Sequence, residues 1–207
     1  MAKARPITGL NIHAPTRENA FIIVRMRLED LYDWGKYVDD PYRVHELHDL
    51  RIAAKRLRYS LEIFADVLPA ACVTATKEVE QVQEELGTLH DSDVMIALLR
   101  LCLGSQDSGT GYEYALSHVG SQQGKGDFTL DPDLVARLTD PQVAPSAEER
   151  YGLEQALHRL QQRREEQYAA FRQHWYQLQA QDFRRKLLGM LDGGQEKSVT
   201  EWSARSA

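Results

Sequence analysis

Apolar residues of this 207-residue chain recur every three or four positions almost throughout, and no stretch alternates as a strand would. The pattern predicts an all-α protein in which each helix buries one stripe. The first helix is predicted to begin at Thr16, as its N-cap, and the second at Asp40, with Pro41 as first helical residue. The second helix is expected to end near Leu68, because Pro69 follows.

The third helix is predicted from about Thr74 to about Leu103. The fourth is predicted to open at Ser146, which forms a capping box with Glu149, and to run unbroken to about Leu191. The side chains expected to face the core are Phe21, Val24, Leu28, Leu31, Tyr32, Val38, Leu47, Leu50, Ala54, Leu57, Leu61, Phe64, Val79, Val82, Leu86, Leu89, Val94, Ala97, Leu101, Leu153, Leu157, Leu160, Phe171, Trp175 and Leu178.

Between the third and fourth helices the composition changes, and six glycines fall within residues 104–126. Glycine is unfavourable inside a packed helix, so residues 105–145 are expected to form a flexible insertion. The predicted organisation is an N-terminal segment at 1–15, one helical domain at 16–193 and a disordered tail at 194–207. Its fold is expected to be a four-helix bundle of long antiparallel helices.

Composition narrows the classes of function. No run approaches the roughly 18 apolar residues that span a bilayer, and the N-terminus lacks the apolar centre of a secretory signal. Cys72 and Cys102 have neither zinc spacing nor a disulfide framework, so we expect buried free thiols and a cytoplasmic protein. The net charge of −6 argues against general nucleic-acid binding, so any anion site must be local.

The densest positive charge lies on the second helix, which carries four cations and no acid between Leu50 and Leu61. His48, Arg51, Lys55 and Arg58 are three or four residues apart, which aligns them along one side of the helix about every 5 Å. We call these four residues the basic row. Such a row requires acids from a neighbouring helix or an external polyanion.

Three interpretations of the row remain open. In the first, it binds an anion. In the second, it pairs with acids and the protein is a structural or protein-interaction bundle; the third helix offers Glu78, Glu80, Glu84, Glu85, Asp91 and Asp93. In the third, histidines bind a metal ion, with His45, His48, His90 and Asp91 as candidates, although no convincing third ligand is visible for the pair His45 and His48.

Other candidate site residues lie on the remaining helices. Arg164 falls within the apolar stripe of the fourth helix, where it must reach a carboxylate or line a polar channel that holds an anion. His174 lies just off the same stripe, and Arg25 is placed similarly on the first helix. His158 is expected to be an ordinary surface residue.

The segments "HDLRIAAKRLRYSLEIF" and "ELGTLHDSDVMIALL", within Val44 to Leu99, closely resemble the CHAD (conserved histidine α-helical domain) family. Family members are helical bundles whose basic channel binds inorganic polyphosphate, and they associate with polyphosphate granules. The resemblance implies that His48, Arg51, Lys55, Arg56 and Arg58 include the anion ligands, and it places His90 where a basic residue often precedes an aspartate. It implies no cofactor.

A typical member holds two such motif repeats, whereas this chain has one. The resemblance therefore implies half of a CHAD domain, completed by a second copy in a two-fold homodimer. We find no nucleophile and base pair, no phosphate-binding glycine loop and no Glu-x-Glu-x-Lys pattern of the triphosphate-tunnel enzymes often fused to this domain. We therefore expect a non-enzymatic polyphosphate-binding protein without a membrane or specific nucleic-acid partner.

Overall fold

The computed structural model describes residues 5–103 and 145–192, which contain helices and no strand. In chain order the helices are α1 (Thr16–Gly35), α2 (Val44–Ile63), α3 (Cys72–Cys102), α4 (Ala147–Ala180) and α5 (residues 183–192). The predicted all-α fold is thereby confirmed. Apart from Pro145, the predicted insertion at 105–145 lies outside the described residues, as does the predicted tail at 194–207.

The chain divides into two compact units. Among the described residues, unit 1 comprises 5–86 and 171–192, and unit 2 comprises 87–103 and 145–170. Within the described ranges, no helix is long and apolar enough to cross a membrane.

The core of unit 1 is built by the stripes that the periodicity predicted, and α1 packs directly against α2. Most predicted inward residues of α1, α2 and the first half of α3 are buried, whereas Tyr32 and Phe64 are half-buried. Val38 is buried although it follows the end of α1. The fully buried large side chains of this unit are Phe21, Phe171, Leu28, Leu50, Leu57, Leu61, Leu86, Leu187, Leu191, Val24 and Val38.

The α1–α4 contact in unit 1 is tight. The Trp175 ring packs against Tyr32 and Phe171, with ring centroids 5.7 and 6.4 Å apart. The same ring covers Gly35, where a Cβ atom would collide with it. Glycine at this position is therefore required for close approach of the indole.

The predicted N-caps of α1 and α2 differ from the observed ones by one and three residues, respectively. Thr16 is the first residue of α1, with Pro15 as N-cap. α2 begins at Val44, because the Asp40 carboxylate accepts a hydrogen bond from the Tyr42 N–H (2.9 Å) and the Asp40 carbonyl accepts one from Arg43 N–H (3.2 Å). Asp40 therefore caps a turn that precedes the helix.

The predicted ends of α2 and α4 also differ from the structure. α2 ends at Ile63, before a turn, and not near Leu68. α4 ends at Ala180, because Asp182 has a φ of 54° that no α-helix accommodates. The short helix α5 follows and buries Phe183, Leu187 and Leu191 in unit 1.

Unit 2 contains the second part of α3 and the first part of α4, which are joined by polar side chains. Ser92 donates a hydrogen bond to the Gln167 side chain (2.7 Å), and Arg150 donates one to the Leu103 carbonyl (3.2 Å). The capping box is confirmed: the Ser146 N–H donates to the Glu149 carboxylate (2.8 Å), and the Glu149 N–H donates to Ser146 Oγ (3.3 Å).

The predicted inward positions of unit 2 are buried to different degrees. Leu89 and Val94 are buried, as predicted. The remaining predicted inward positions are only half-buried, namely Ala97, Leu101, Leu153, Leu157 and Leu160.

Candidate functional site

The helix α2 lies between two neighbours in unit 1, and its cations divide between two flanks. Arg58 reaches Glu80 on α3, with Nη1 3.4 Å from Oε1. Arg56 faces α1 instead, where Arg27 and Asp30 act on its charge. The family resemblance implied that Arg56 is an anion ligand together with the row, but the structure places Arg56 on the flank of α2 that faces α1.

The basic row changes from buried to accessible along α2. His48 and Arg51 are 3% and 6% exposed. Lys55 and Arg58, nearer the C-terminal end, are half-buried, and Tyr59 beside them is 42% exposed. Solvent therefore reaches the row mainly at its Arg58 end.

Arg58 and Lys55 form a small cluster with Tyr59 at the accessible end of the row. The Arg58 guanidinium lies 5.1 Å and the Lys55 Nζ 5.9 Å from the centre of the Tyr59 ring, distances at which cations are attracted to an aromatic face. Arg58 Nε also lies 3.3 Å from Glu62 on the same helix. Arg58 therefore has two carboxylate neighbours, Glu62 and Glu80, whose side chains are each 44% exposed.

Arg56 lines a cleft of about 210 Å³ between α1 and α2. Burial, followed by the nearby charge of Arg27, lowers the pKa of Arg56. The buried carboxylate of Asp30 accepts a hydrogen bond from Arg27 (2.9 Å) and lies 3.5 Å from Arg5 Nε. The cations on this flank therefore lie beside acids, which offset their positive charge.

Arg25 and His174 belong to unit 1 but lie in other ion pairs. Arg25 pairs with Asp192 of α5. The Nδ1 atom of His174 lies 2.8 Å from Glu85, and its Nε2 atom lies 3.6 Å from Glu78. Both residues were predicted to bind the anion, and the structure supplies each with a carboxylate.

His45 and His158 complete the histidines that the sequence singled out in the described α2 and α4. His45 is half-buried one residue inside the start of α2. His158 is exposed, as predicted, and its Nε2 lies 3.2 Å from the Gln162 amide.

His90 and Arg164 are placed in unit 2. His90 is half-buried on α3. Arg164 reaches the carboxylate that its position in an apolar stripe required: its Nε and Nη2 donate to the two oxygens of Asp93 at 2.7 and 3.4 Å. Burial raises the pKa of Asp93, and Arg164 counteracts this only in part. Of the two predicted roles for Arg164, the structure supports pairing with an acid.

Within the described helices and turns, no three side chains of His, Cys, Asp or Glu come together as a metal-binding group. Cys72 is buried and Cys102 half-buried, both as free thiols, and burial raises the pKa of each. The prediction of free thiols is confirmed.

Sequence reasoning missed three features of the site. The first is the pair of contacts that Tyr59 makes with Lys55 and Arg58, of which only that with Lys55, four residues away, could have been expected from helical spacing. The second is the partner of Arg58 on α3, which spacing could not identify because α3 carries several acids. The separation of Arg56 from the row follows from a helical wheel, on which Arg56 lies well away from the row's arc.

Comparison with known proteins identifies one family. The family model of the CHAD domain matches residues 7–100, a little under half of the chain. This confirms the resemblance that α2 and α3 carry, and CHAD domains are associated with polyphosphate binding. No curated protein and no solved structure matches the chain.

Proposed function

Because residues 7–100 match the family model of the CHAD domain, we propose that this protein binds inorganic polyphosphate through the basic row on α2. The observation that carries the proposal is the row itself: four basic side chains on one side of a helix that has no acid between Leu50 and Leu61. Its Lys55 and Arg58 are accessible to a ligand from solution.

The chemistry of the row fits a linear polyanion. Polyphosphate presents one negative charge per repeating unit, and a helix spaces the row's side chains at regular intervals of about 5 Å. Arginine offers forked donors to phosphate oxygens, lysine offers a compact charge, and histidine adds charge as the pH falls. Binding should weaken steeply with salt, as it does when proteins release counterions from nucleic acids.

Long-chain polyphosphate binding by the wild type and by Arg51→Ala/Lys55→Ala/Arg58→Ala tests the proposal, measured across a salt series with duplex DNA as competitor. The wild type should bind tightly and resist the DNA. The triple variant should lose most of the affinity. A plot of the logarithm of its binding constant against the logarithm of salt concentration should be less steep, by about 0.7 in slope for each phosphate contact removed.

The matched control is Arg159→Ala/Arg163→Ala/Lys186→Ala, which removes the same charge from exposed positions on α4 and α5. It should bind nearly as the wild type does. Equal loss in both variants would mean that net charge alone attracts the polyanion, and a folded wild type that fails to bind would overturn the proposal.

A structural role for the row is the second candidate, and the two carboxylates beside Arg58 favour it. The stability test uses Lys55→Ala/Arg58→Ala, which spares the buried Arg51. If the row holds helices together, this variant should unfold at lower denaturant than the wild type. If the row serves a ligand, removing two like charges three residues apart should leave stability unchanged or raise it by a few tenths of a kcal/mol. Urea unfolding without polyphosphate separates the two candidates.

We also propose that the binding unit is a homodimer. The support is the single motif set where a typical family member has two, so that a second copy would supply the other half of the channel. Light scattering on the protein, alone and with polyphosphate, should give twice the mass of 23.6 kDa. A monomer under both conditions would remove the homodimer from the proposal.

The proposed activity is binding without catalysis, in the cytoplasm and at polyphosphate granules. Incubation with polyphosphate or tripolyphosphate should release no orthophosphate above that of a protein-free control. A fluorescent fusion should coincide with stained granules, and the Arg51→Ala/Lys55→Ala/Arg58→Ala fusion should not.

A further inference from the structure

The accessible end of the basic row carries an apolar surface as well as cations. Tyr59 is 42% and Ile63 is 75% exposed, and they are four residues apart on α2. Side chains at this spacing are neighbours on a helix surface, so the two form one continuous patch. The patch is adjacent to Lys55 and Arg58, whose charged groups lie within 6 Å of the Tyr59 ring.

The sign of the charge reverses at the same place. Continuing the row by one helical step beyond Arg58 leads to Glu62, whose side chain is 44% exposed. A phosphate placed there would meet a carboxylate. A flat, uncharged group would instead meet the exposed faces of Tyr59 and Ile63. The row is therefore suited to an oligophosphate that ends in a neutral aromatic group.

We propose that the row binds nucleoside oligophosphates, with the base on Tyr59 and Ile63 and the phosphates on Lys55 and Arg58. This inference rests on the proposed polyphosphate function, because it uses the same cations and adds a specificity for the end of the chain. Any base can stack on a tyrosine ring, so the selectivity is for a base over no base.

The geometry of a helix supports this arrangement. Lys55 lies about 6 Å along the axis from Tyr59, a distance that a ribose and linked phosphates can bridge. The flexible four-carbon side chain of Lys55 allows its ammonium group to turn from the ring towards a phosphate. The base then takes the place beside the ring.

Calorimetric binding of ATP and of inorganic tripolyphosphate, at equal ionic strength and with EDTA, tests the inference. Tripolyphosphate carries more charge, so charge alone would make it the tighter ligand. We expect the wild type to bind ATP at least as tightly, and Tyr59→Leu to weaken ATP binding about tenfold with little change for tripolyphosphate. Tyr59→Phe keeps an aromatic face and should retain ATP binding.

Each other outcome identifies what has failed. If Tyr59→Leu weakens both ligands equally, Tyr59 only positions Lys55 and Arg58, and the inference is wrong. If tripolyphosphate and long-chain polyphosphate bind but ATP gains nothing from Tyr59, the inference is wrong and the proposed function stands. If no phosphate compound binds the folded protein, both are wrong. Leucine at residue 59 is a conservative change at an exposed helical position, so the variant should fold, and circular dichroism checks this.

Discussion

Two arginines of α4 each pair with an aspartate, yet the pKa of one aspartate is raised and that of the other is lowered. In unit 2, Arg164 and Asp93 are 11% and 14% exposed, and the pKa of Asp93 is raised. In unit 1, Arg172 and Asp39 are 47% and 61% exposed, and the pKa of Asp39 is lowered. The comparison teaches that an arginine partner does not by itself set the protonation of an acid.

The physical cause of the difference is desolvation. Asp93 loses most of its water on folding, and burial raises its pKa more than Arg164 lowers it. Asp39 stays in water and accepts hydrogen bonds from the Tyr176 hydroxyl (2.7 Å) and from Arg172 Nη2 (2.7 Å). Desolvation opposes these bonds only in part, so they lower the pKa of Asp39. Folding therefore depends on the buried pair in unit 2, whereas it depends little on the exposed pair in unit 1.

Among changes to the two pairs, removal of Asp93 should have the largest effect on stability. Asp93→Ala leaves the Arg164 guanidinium buried without its carboxylate and should lower the free energy of unfolding by about 3–5 kcal/mol. Asp39→Ala should cost distinctly less. Urea denaturation measures both. The double variant Arg164→Met/Asp93→Leu should recover most of the loss, and its failure to do so would assign the cost to something other than the unpaired charge.

The dependence of stability on pH should have opposite signs for the two acids. The pKa of Asp93 is raised in the folded protein, so its contribution is present below the ordinary value of 3.8 and is lost as the pH rises through the raised pKa. The pKa of Asp39 is lowered, so its contribution is present above 3.8 and is lost as the pH falls through the lowered pKa.

Unfolding free energies of the wild type, Asp93→Asn and Asp39→Asn between pH 2 and pH 7 test this. The stability of the wild type relative to Asp93→Asn should fall with rising pH, and that relative to Asp39→Asn should rise. Slopes of the same sign would mean that burial does not dominate at Asp93.

An ion pair of the basic row extends the comparison to a weaker contact. Arg58 lies 3.4 Å from Glu80, which is 44% exposed, so Glu80→Gln should change stability by less than about 1 kcal/mol. The same change frees Arg58 for a phosphate, so polyphosphate should bind a few-fold tighter at low salt. Glu84→Gln, at an exposed position one turn along α3, is the control for net charge. Equal gains in both variants would show that Glu80 does not compete with the ligand.

The smallest expected effect concerns one hydroxyl group. The hydrogen bond from Tyr176 is the main cause that lowers the pKa of Asp39, and the same bond raises the pKa of Tyr176. Tyr176→Phe should therefore move the pKa of Asp39 upward, towards its ordinary value, while Arg172 keeps it from returning fully. Carbon-13 NMR titration of the carboxyl group measures the change. An unchanged pKa would mean that Arg172 alone sets it.

The sequence predicted those features that depend on neighbours along the chain. The capping box of Ser146 and Glu149 needs residues three apart, and the basic row needs only helical spacing. The break at Asp182 was missed because no glycine or proline marks it.

Ion-pair partners that are far apart in the sequence could not be predicted from residue spacing. Arg25 meets Asp192, which is 167 positions away, and no spacing rule connects two such residues. Arg164 was expected to need either a carboxylate or an anion channel, and only the structure identifies Asp93 as its partner. Packing in three dimensions therefore decides which cations remain available to a ligand.

The close packing of Trp175 on Gly35 has a practical spectroscopic consequence. Trp34 and Trp175 fall in unit 1, and residues 87–170 contain no tryptophan. Trp175 is 3% exposed, so its fluorescence should shift to longer wavelength when unit 1 opens. Indole emission is thus an intrinsic reporter of one unit, whereas helix loss followed by circular dichroism reports both. Two unfolding curves that do not coincide would reveal independent melting of the units in a chain that carries no added label.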